Sequence, residues 1–118
     1  MDFNLSEQQK MLQKMAKEFA IKSVKPLAAE IDSSGQFHFD LAREMGKRGY
    51  QGLPYPARYG GSGAGYLSYT LVLEQICQAS MTAGAIIAIN TVPQEALFRF
   101  GSEEQKRNFL APLARGEL

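Results

Sequence analysis

The sequence contains a single cysteine, Cys77, and a single histidine, His38. One cysteine cannot close an internal disulfide bond, which is consistent with a reducing compartment. Together the two residues cannot supply the nitrogen and sulfur ligands of an ordinary zinc site. We therefore predict that the chain binds no metal.

An excess of charge of one sign is also missing. Thirteen basic and 12 acidic side chains are spread along the chain and give a net charge of +1. This balance excludes nucleic acid or anionic lipid as a partner recognised by charge. No apolar run approaches the roughly 18 residues that span a bilayer, and the N-terminus lacks the features of a signal or transit peptide. We expect a cytoplasmic protein without a membrane span.

What is present describes an ordinary globular chain. Hydrophobic residues make up 45% of the sequence and charged residues 21%, which is not the composition of a disordered segment. A chain of 118 residues buries roughly two thirds of its unfolded surface when it folds. Residues 1–118 should therefore form one domain.

Two helices are predicted in the first half. The first begins with a capping box at Ser6 to Gln9, continues with apolar residues at spacings of three and four, and ends at Ser33 to Gly35. Pro26 should kink it near Lys25. The second, 41–48, has Asp40 as its N-cap and Gly49 as its closing residue. A long connection rich in glycine and proline follows, to about residue 65, with possible short extended pieces at 53–59.

Three further helices are predicted in the second half. The third has Tyr69, Val72 and Ile76 on its apolar side and Glu74, Gln75 and Gln78 on the other. The fourth runs from about Thr82 to Arg99, is interrupted by Pro93 and is closed by Gly101. The fifth begins with a second capping box at Ser102 to Gln105. Since no segment alternates with a period of two, we predict an all-α fold: a compact array of about five helices, with the long connection between the second and third.

Few side chains suggest chemistry on their own. His38 has no triad partner nearby, and Cys77 lies on the apolar side of its helix, so we assign the first to the surface and the second to the core. Glu74 is interpreted as solvated or bonded to a nearby loop, and Glu103 with Glu104 as first-turn carboxylates favoured by the helix dipole. The glycine-rich segment 60–65 lacks the Lys-Ser/Thr of a phosphate loop and is interpreted as a structural turn.

One face of the fourth helix remains ambiguous. It carries mostly small side chains, which indicate either close helix packing or the wall of a ligand site. Its members are Met81, Gly84, Ala85, Ala88 and Val92.

Two motifs point to a family. Residues 49–61 read GYQGLPYPARYGG, residues 100–106 read FGSEEQK, and the chain closes with GEL at 116–118. In this order and spacing they resemble the N-terminal helical domain of the acyl-CoA dehydrogenases. An extra proline, Pro54, departs from the usual pattern of the first motif. The resemblance implies that residues 1–118 are about the first third of an enzyme whose middle β domain and C-terminal helical domain are absent here.

The resemblance also implies an activity. Such enzymes are FAD-dependent homo-oligomers that make an acyl-CoA thioester α,β-unsaturated and pass the electrons to electron-transfer flavoprotein. In that family the glutamate base and most FAD contacts lie in the other domains, so this chain should hold no catalytic and no cofactor-binding residue and should be inactive alone. The fourth helix lines the far end of the acyl pocket, which assigns substrate contacts to Gly84, Ala85, Ala88 and Val92. The small size of Gly84, Ala85 and Ala88 implies long or bulky acyl groups.

A second hypothesis is a stand-alone helical interaction module without redox activity. The two differ in what the coding sequence contains after Leu118. An enzyme would continue into a β domain with a flavin-binding segment of Thr-Glu-Pro type, whereas a module would stop.

Overall fold

Helices account for all the regular structure in the computed structural model, which describes all 118 residues. The α-helices are α1 (Glu7–Phe19), α2 (Ala28–Ser34), α3 (Phe39–Lys47), α4 (Gly65–Ala79), α5 (Met81–Phe100), α6 (Glu103–Gln105) and α7 (Ala111–Ala114). A π-helical turn (Ala20–Val24) and a 3-10 turn (Lys25–Leu27) join α1 to α2, and a second π-helical turn (Lys106–Leu110) joins α6 to α7. The chain thus forms five helical rods, at 7–34, 39–47, 65–79, 81–100 and 103–114. The predicted all-α class is confirmed.

The first rod follows the sequence prediction closely. Ser6 Oγ accepts the Gln9 amide at 3.2 Å, and Gln9 Oε1 accepts the Ser6 amide at 2.9 Å, which is the predicted capping box. The helix changes geometry at Pro26, where the 3-10 turn lies. Gly35 ends the rod with a φ of 62°, a left-handed conformation that glycine adopts without strain.

The start of α3 differs from the prediction. The N-cap is His38, whose Nδ1 accepts the Leu41 amide at 3.2 Å, and Asp40 lies inside the first turn, where it pairs with Arg43 at 3.4 Å. The prediction of Asp40 as the cap was wrong because an imidazole nitrogen can also accept the free amide. The helix therefore begins two residues earlier than predicted.

The long connection is a tightly bonded loop without strands. It contains a 3-10 turn (Ala57–Tyr59) in place of the predicted short extended pieces. The amides of Ser62, Gly63 and Ala64 donate to carbonyl groups of this same connection, at 3.4, 2.9 and 2.8 Å. A Cβ at Gly61 would lie 2.0 Å from the Tyr55 carbonyl oxygen, so only glycine fits there. The glycine-rich segment is therefore a structural turn in which the amides of residues 60–64 are already engaged.

The fourth rod is longer and more regular than predicted. Helix α5 runs through Pro93 without a break, so the predicted interruption was wrong. Pro93 lies on the exposed side of the helix, and the carbonyl left without a donor is that of Ile89, whose side chain is also exposed. Water can satisfy that group, so a proline is tolerated. Gln75 of α4 also corrects a prediction, because it is buried rather than on the solvent side.

The core forms where α1, α4 and α5 meet. Its fully buried members include Ala16, Val24, Met45, Val72, Ile76 and Ile87. A smaller cluster of Tyr55, Tyr59 and Leu110 packs the long connection against the last rod. The domain measures 41 × 39 × 21 Å, and its shortest extent corresponds to about two helix diameters. None of its helices has both the length and the apolar character needed to cross a membrane.

Candidate functional site

A groove of about 460 Å³ lies between the start of α4 and the second half of α5. Its walls are mainly aromatic rings and small apolar side chains, contributed by Tyr66, Tyr69, Ala88, Val92, Ala96 and Phe100. The α5 members recur at spacings of four, which places them along one side of the helix. The groove is open to solvent along one side, and its apolar lining can form one wall of a site for an organic ligand.

A carboxylate is held at one wall of the groove by three donors. Glu95 Oε2 accepts hydrogen bonds from the hydroxyl groups of Tyr66 and Tyr55, the latter at 3.3 Å. Glu95 Oε1 pairs with Arg99 Nε, one helical turn further along α5. The Tyr66 hydrogen bond, followed by the Arg99 interactions, holds the pKa of Glu95 below its usual value. The carboxylate is therefore ionised and its charge is compensated within the groove.

Tyr55 connects this cluster to the long loop. Its ring is fully buried, and its hydroxyl lies 3.3 Å from both Glu95 Oε2 and the Thr91 carbonyl oxygen. Burial, and then the neighbouring Glu95 charge, raise the pKa of Tyr55, so the hydroxyl keeps its proton and acts as a donor. The loop thereby fixes the position of Glu95.

Hydroxyl groups extend the polar contacts along the groove. Thr91 Oγ1 lies 2.9 Å from the Ile87 carbonyl oxygen and 3.3 Å from Tyr69 Oη. A threonine hydroxyl has one hydrogen, which it donates to the carbonyl, so the Tyr69 hydroxyl donates to Thr91. Each hydroxyl is therefore satisfied by a neighbour within the domain.

Of the four residues assigned to substrate contact, two line the groove and two do not. Ala88 and Val92 line the groove, whereas Gly84 and Ala85 do not. Gly84 is buried against α4, where an added Cβ would lie 2.1 Å from Cys77 Sγ. Gly84 and Ala88 lie one turn apart on the same side of α5, so the difference comes from packing: α4 contacts α5 at Gly84, whereas the groove begins at Ala88.

The other candidate residues have structural surroundings. Cys77 is half-buried rather than part of the core, and burial raises the pKa of its thiol, which disfavours the reactive thiolate. Glu74 is exposed, as predicted. Glu103 accepts the Tyr59 hydroxyl at 2.8 and 2.9 Å, a contact with the long connection that the sequence did not reveal. No three histidine, cysteine, aspartate or glutamate side chains converge on a point where a metal could bind.

The sequence also failed to indicate Tyr66, Tyr69, Glu95 and Arg99 as groove residues. One signal was available, since Glu95 and Arg99 stand four apart on a predicted helix and can pair. The tyrosines could not have been paired with them, because Tyr66 precedes Glu95 by 29 residues.

Comparison with known proteins identifies the fold. Residues 6–117 match the family described as acyl-CoA dehydrogenase, N-terminal domain. The chain belongs to this family. The motifs that suggested an acyl-CoA dehydrogenase domain lie in the long connection and at the start of the last rod, on either side of the groove-forming helices.

Individual relatives support the same family. The chain is 41% identical over 118 residues to the short-chain specific acyl-CoA dehydrogenase of Clostridium acetobutylicum, covering 99% of this chain and 31% of that one. It is 33% identical over 113 residues to the 3-(aryl)acrylate reductase of Clostridium sporogenes, covering 95% and 30%. A chain in the structure of the electron-transferring flavoprotein of Acidaminococcus fermentans superposes with a TM-score of 0.95 and 38% identity, covering 99% and 31%. The chain thus spans about a third of the length of the relatives it matches.

Proposed function

We propose that this chain is the N-terminal domain of a longer, FAD-dependent acyl-CoA dehydrogenase that makes acyl-CoA thioesters α,β-unsaturated. The observation that carries the proposal is the family match over residues 6–117, together with relatives about three times as long. In the proposed enzyme a glutamate base outside this chain removes the α-proton. The β-hydrogen leaves as a hydride to the flavin.

The contribution of this chain is one wall of the acyl pocket. Ala88 and Val92 support this role because they line the groove, and their side chains leave it wide. Gly84 and Ala85 remain in the proposed set, although neither lines this groove. Gly84 acts through packing, since its lack of a side chain lets α5 approach Cys77 of α4 and so sets the position of that wall.

We propose that the flavin binds outside this chain. A dinucleotide needs free backbone amides or a basic cradle for its phosphates, and the amides of residues 62–64 donate within their own loop. The glycine-rich turn therefore offers these amides to no phosphate. We propose that the chain alone neither binds the flavin nor oxidises acyl-CoA, and that the complete enzyme is a cytoplasmic homo-oligomer that transfers electrons to electron-transfer flavoprotein.

The identity of the acyl group is a separate part of the proposal. Relatives in this family are named for short-chain acyl-CoA and for 3-(aryl)acrylate, so membership alone does not fix it. The small residues at Ala88 and Ala96 favour a long or bulky group, because they leave the groove about 460 Å³ in volume.

The decisive experiment uses the full-length protein and the isolated chain side by side. The full-length protein should carry flavin absorbance that bleaches when an acyl-CoA is added anaerobically, whereas the isolated chain should be colourless and inactive. An Ala88→Phe variant of the full-length protein should lower kcat/KM for long thioesters more than for short ones. Lys22→Phe, which adds a similar ring at an exposed polar position on the first rod, is the matched control. A full-length protein without flavin, or without reduction by any acyl-CoA, would refute the proposed function.

A further inference from the structure

The groove between α4 and α5 combines three aromatic rings with an ion pair between Glu95 and Arg99. Tyr66 and Tyr69 stand at the start of α4, and Phe100 stands at the end of α5. We propose that this groove binds an aryl ring carried by the acyl group, so that the preferred substrate is an aryl-substituted acyl thioester. The proposal rests on the proposed function and specifies its substrate class.

The shape of the lining carries the first step. Ala88 and Ala96 lie eight residues apart on α5, or about 12 Å along the helix axis. Both residues line the groove together with Tyr66 and Tyr69, and their side chains are single methyl groups. Aromatic rings favour offset-stacked or edge-to-face contacts with one another, and these add attraction beyond the area that is buried. A planar ring can make such contacts here, whereas an alkyl chain cannot.

The charges carry the second step. Glu95 is less exposed than Arg99, with 29% and 63% of their side chains accessible, and the two compensate each other. Tyr66 and Tyr55 also donate to Glu95, so three donors satisfy the carboxylate. An acyl group with a terminal carboxylate would have to compete with Glu95 for Arg99. The groove therefore favours an uncharged ring over an anionic chain end.

The size of the groove carries the third step. The groove is open along one side, and its volume is about 460 Å³. A short straight acyl tail would cover little of its apolar surface. An arylpropanoyl group occupies more of it and covers the exposed ring of Phe100, which is 86% accessible.

The test compares three thioesters in the full-length enzyme: 3-phenylpropanoyl-CoA, nonanoyl-CoA with the same number of acyl carbons, and glutaryl-CoA with a charged end. We expect kcat/KM for the phenylpropanoyl thioester to exceed that for nonanoyl-CoA by about three- to tenfold. Tyr66→Leu should bring this ratio close to one, while Tyr66→Phe, which keeps the ring, should preserve most of it. Glu95→Gln frees Arg99 and should raise the relative kcat/KM for glutaryl-CoA by on the order of fivefold.

Phe100→Leu provides an independent variant at a highly exposed position, in case Tyr66→Leu folds poorly. Lys22→Ala, on the π-helical turn of the first rod, is the control outside the groove. Equal or better use of nonanoyl-CoA, or a ratio unchanged by both ring variants, would overturn the inference while leaving the proposed function intact. Calorimetric titration with non-oxidisable thioether analogues of the same acyl groups measures the ring preference without turnover. It therefore tests the inference even if the protein oxidises no thioester. A lack of turnover with every thioester would itself refute the proposed function.

Discussion

The contact between Gly84 and Cys77 predicts that the effect of Gly84→Ala on protein stability changes sign when Cys77 is also replaced by alanine. A Cβ added at Gly84 would lie 2.1 Å from Cys77 Sγ, well inside van der Waals contact, and 3.4 Å from the Cys77 Cα and Cβ atoms. Gly84→Ala should therefore overpack the α4–α5 interface at a cost of about 1–3 kcal/mol. Alanine in a helix interior offsets this by about 1 kcal/mol relative to glycine. The net expectation is that Gly84→Ala lowers the free energy of unfolding by about 1 kcal/mol.

In a Cys77→Ala background the sulfur is gone and the remaining contacts at 3.4 Å are ordinary. The same Gly84→Ala change should then stabilise the protein by about 1 kcal/mol through helix propensity alone. The two effects differ by about 2 kcal/mol, a coupling energy that is large for a pair in direct contact and easily measured. Each 1 kcal/mol corresponds to a shift in Tm of about 4 °C for a domain of this size.

The assay is thermal or urea unfolding, followed by far-UV circular dichroism, of the four proteins in the cycle. Cys77→Ser serves as a matched background because its hydroxyl keeps an atom close to the added methyl group, so Gly84→Ala should remain unfavourable there. A change in stability of the same sign in the wild-type and Cys77→Ala backgrounds would refute the reasoning. Such a result would mean that the thiol rotates away without cost.

Three further predictions concern other parts of the domain. Folding lowers the pKa of Glu95, so its carboxylate contributes stability that is fully present above the ordinary carboxyl pKa and is lost as pH falls through the folded pKa. The difference in unfolding free energy between wild type and Glu95→Gln should therefore shrink from pH 7 to pH 3. A constant difference would contradict this. Replacing the N-cap His38 with alanine should cost about 1 kcal/mol in urea unfolding, and replacement with asparagine should retain most of that stability; equal losses would show that the cap is unimportant. The isolated chain should self-associate, because Ile89, Val92 and Phe100 are 70%, 68% and 86% exposed and contiguous exposed apolar surface tends to find a partner; a clean monomer in sedimentation at high micromolar concentration would argue against it.

Local features were predictable because their partners are close in sequence. The capping boxes at Ser6 and Ser102 involve residues three apart, so they can be identified from a few letters. The change of geometry at Pro26 follows from its missing amide. The family motifs are local as well, which is why the fold could be inferred before any contact was known.

The tertiary structure decided what depends on distant neighbours. Pro93 is tolerated in α5 because of the side on which it lies, and Gln75 is buried because other elements cover it. Tyr66 and Tyr55 reach Glu95 across 29 and 40 residues, so the groove and its neutralised charge exist only in the folded chain. Sequence periodicity placed Gly84 and Ala88 on the same face of the helix. Only the folded structure shows that Gly84 packs against Cys77 and sets the helix spacing, whereas Ala88 lines the groove. The physical reason is that periodicity records the direction of a side chain, whereas the identity of its neighbour is set by the fold.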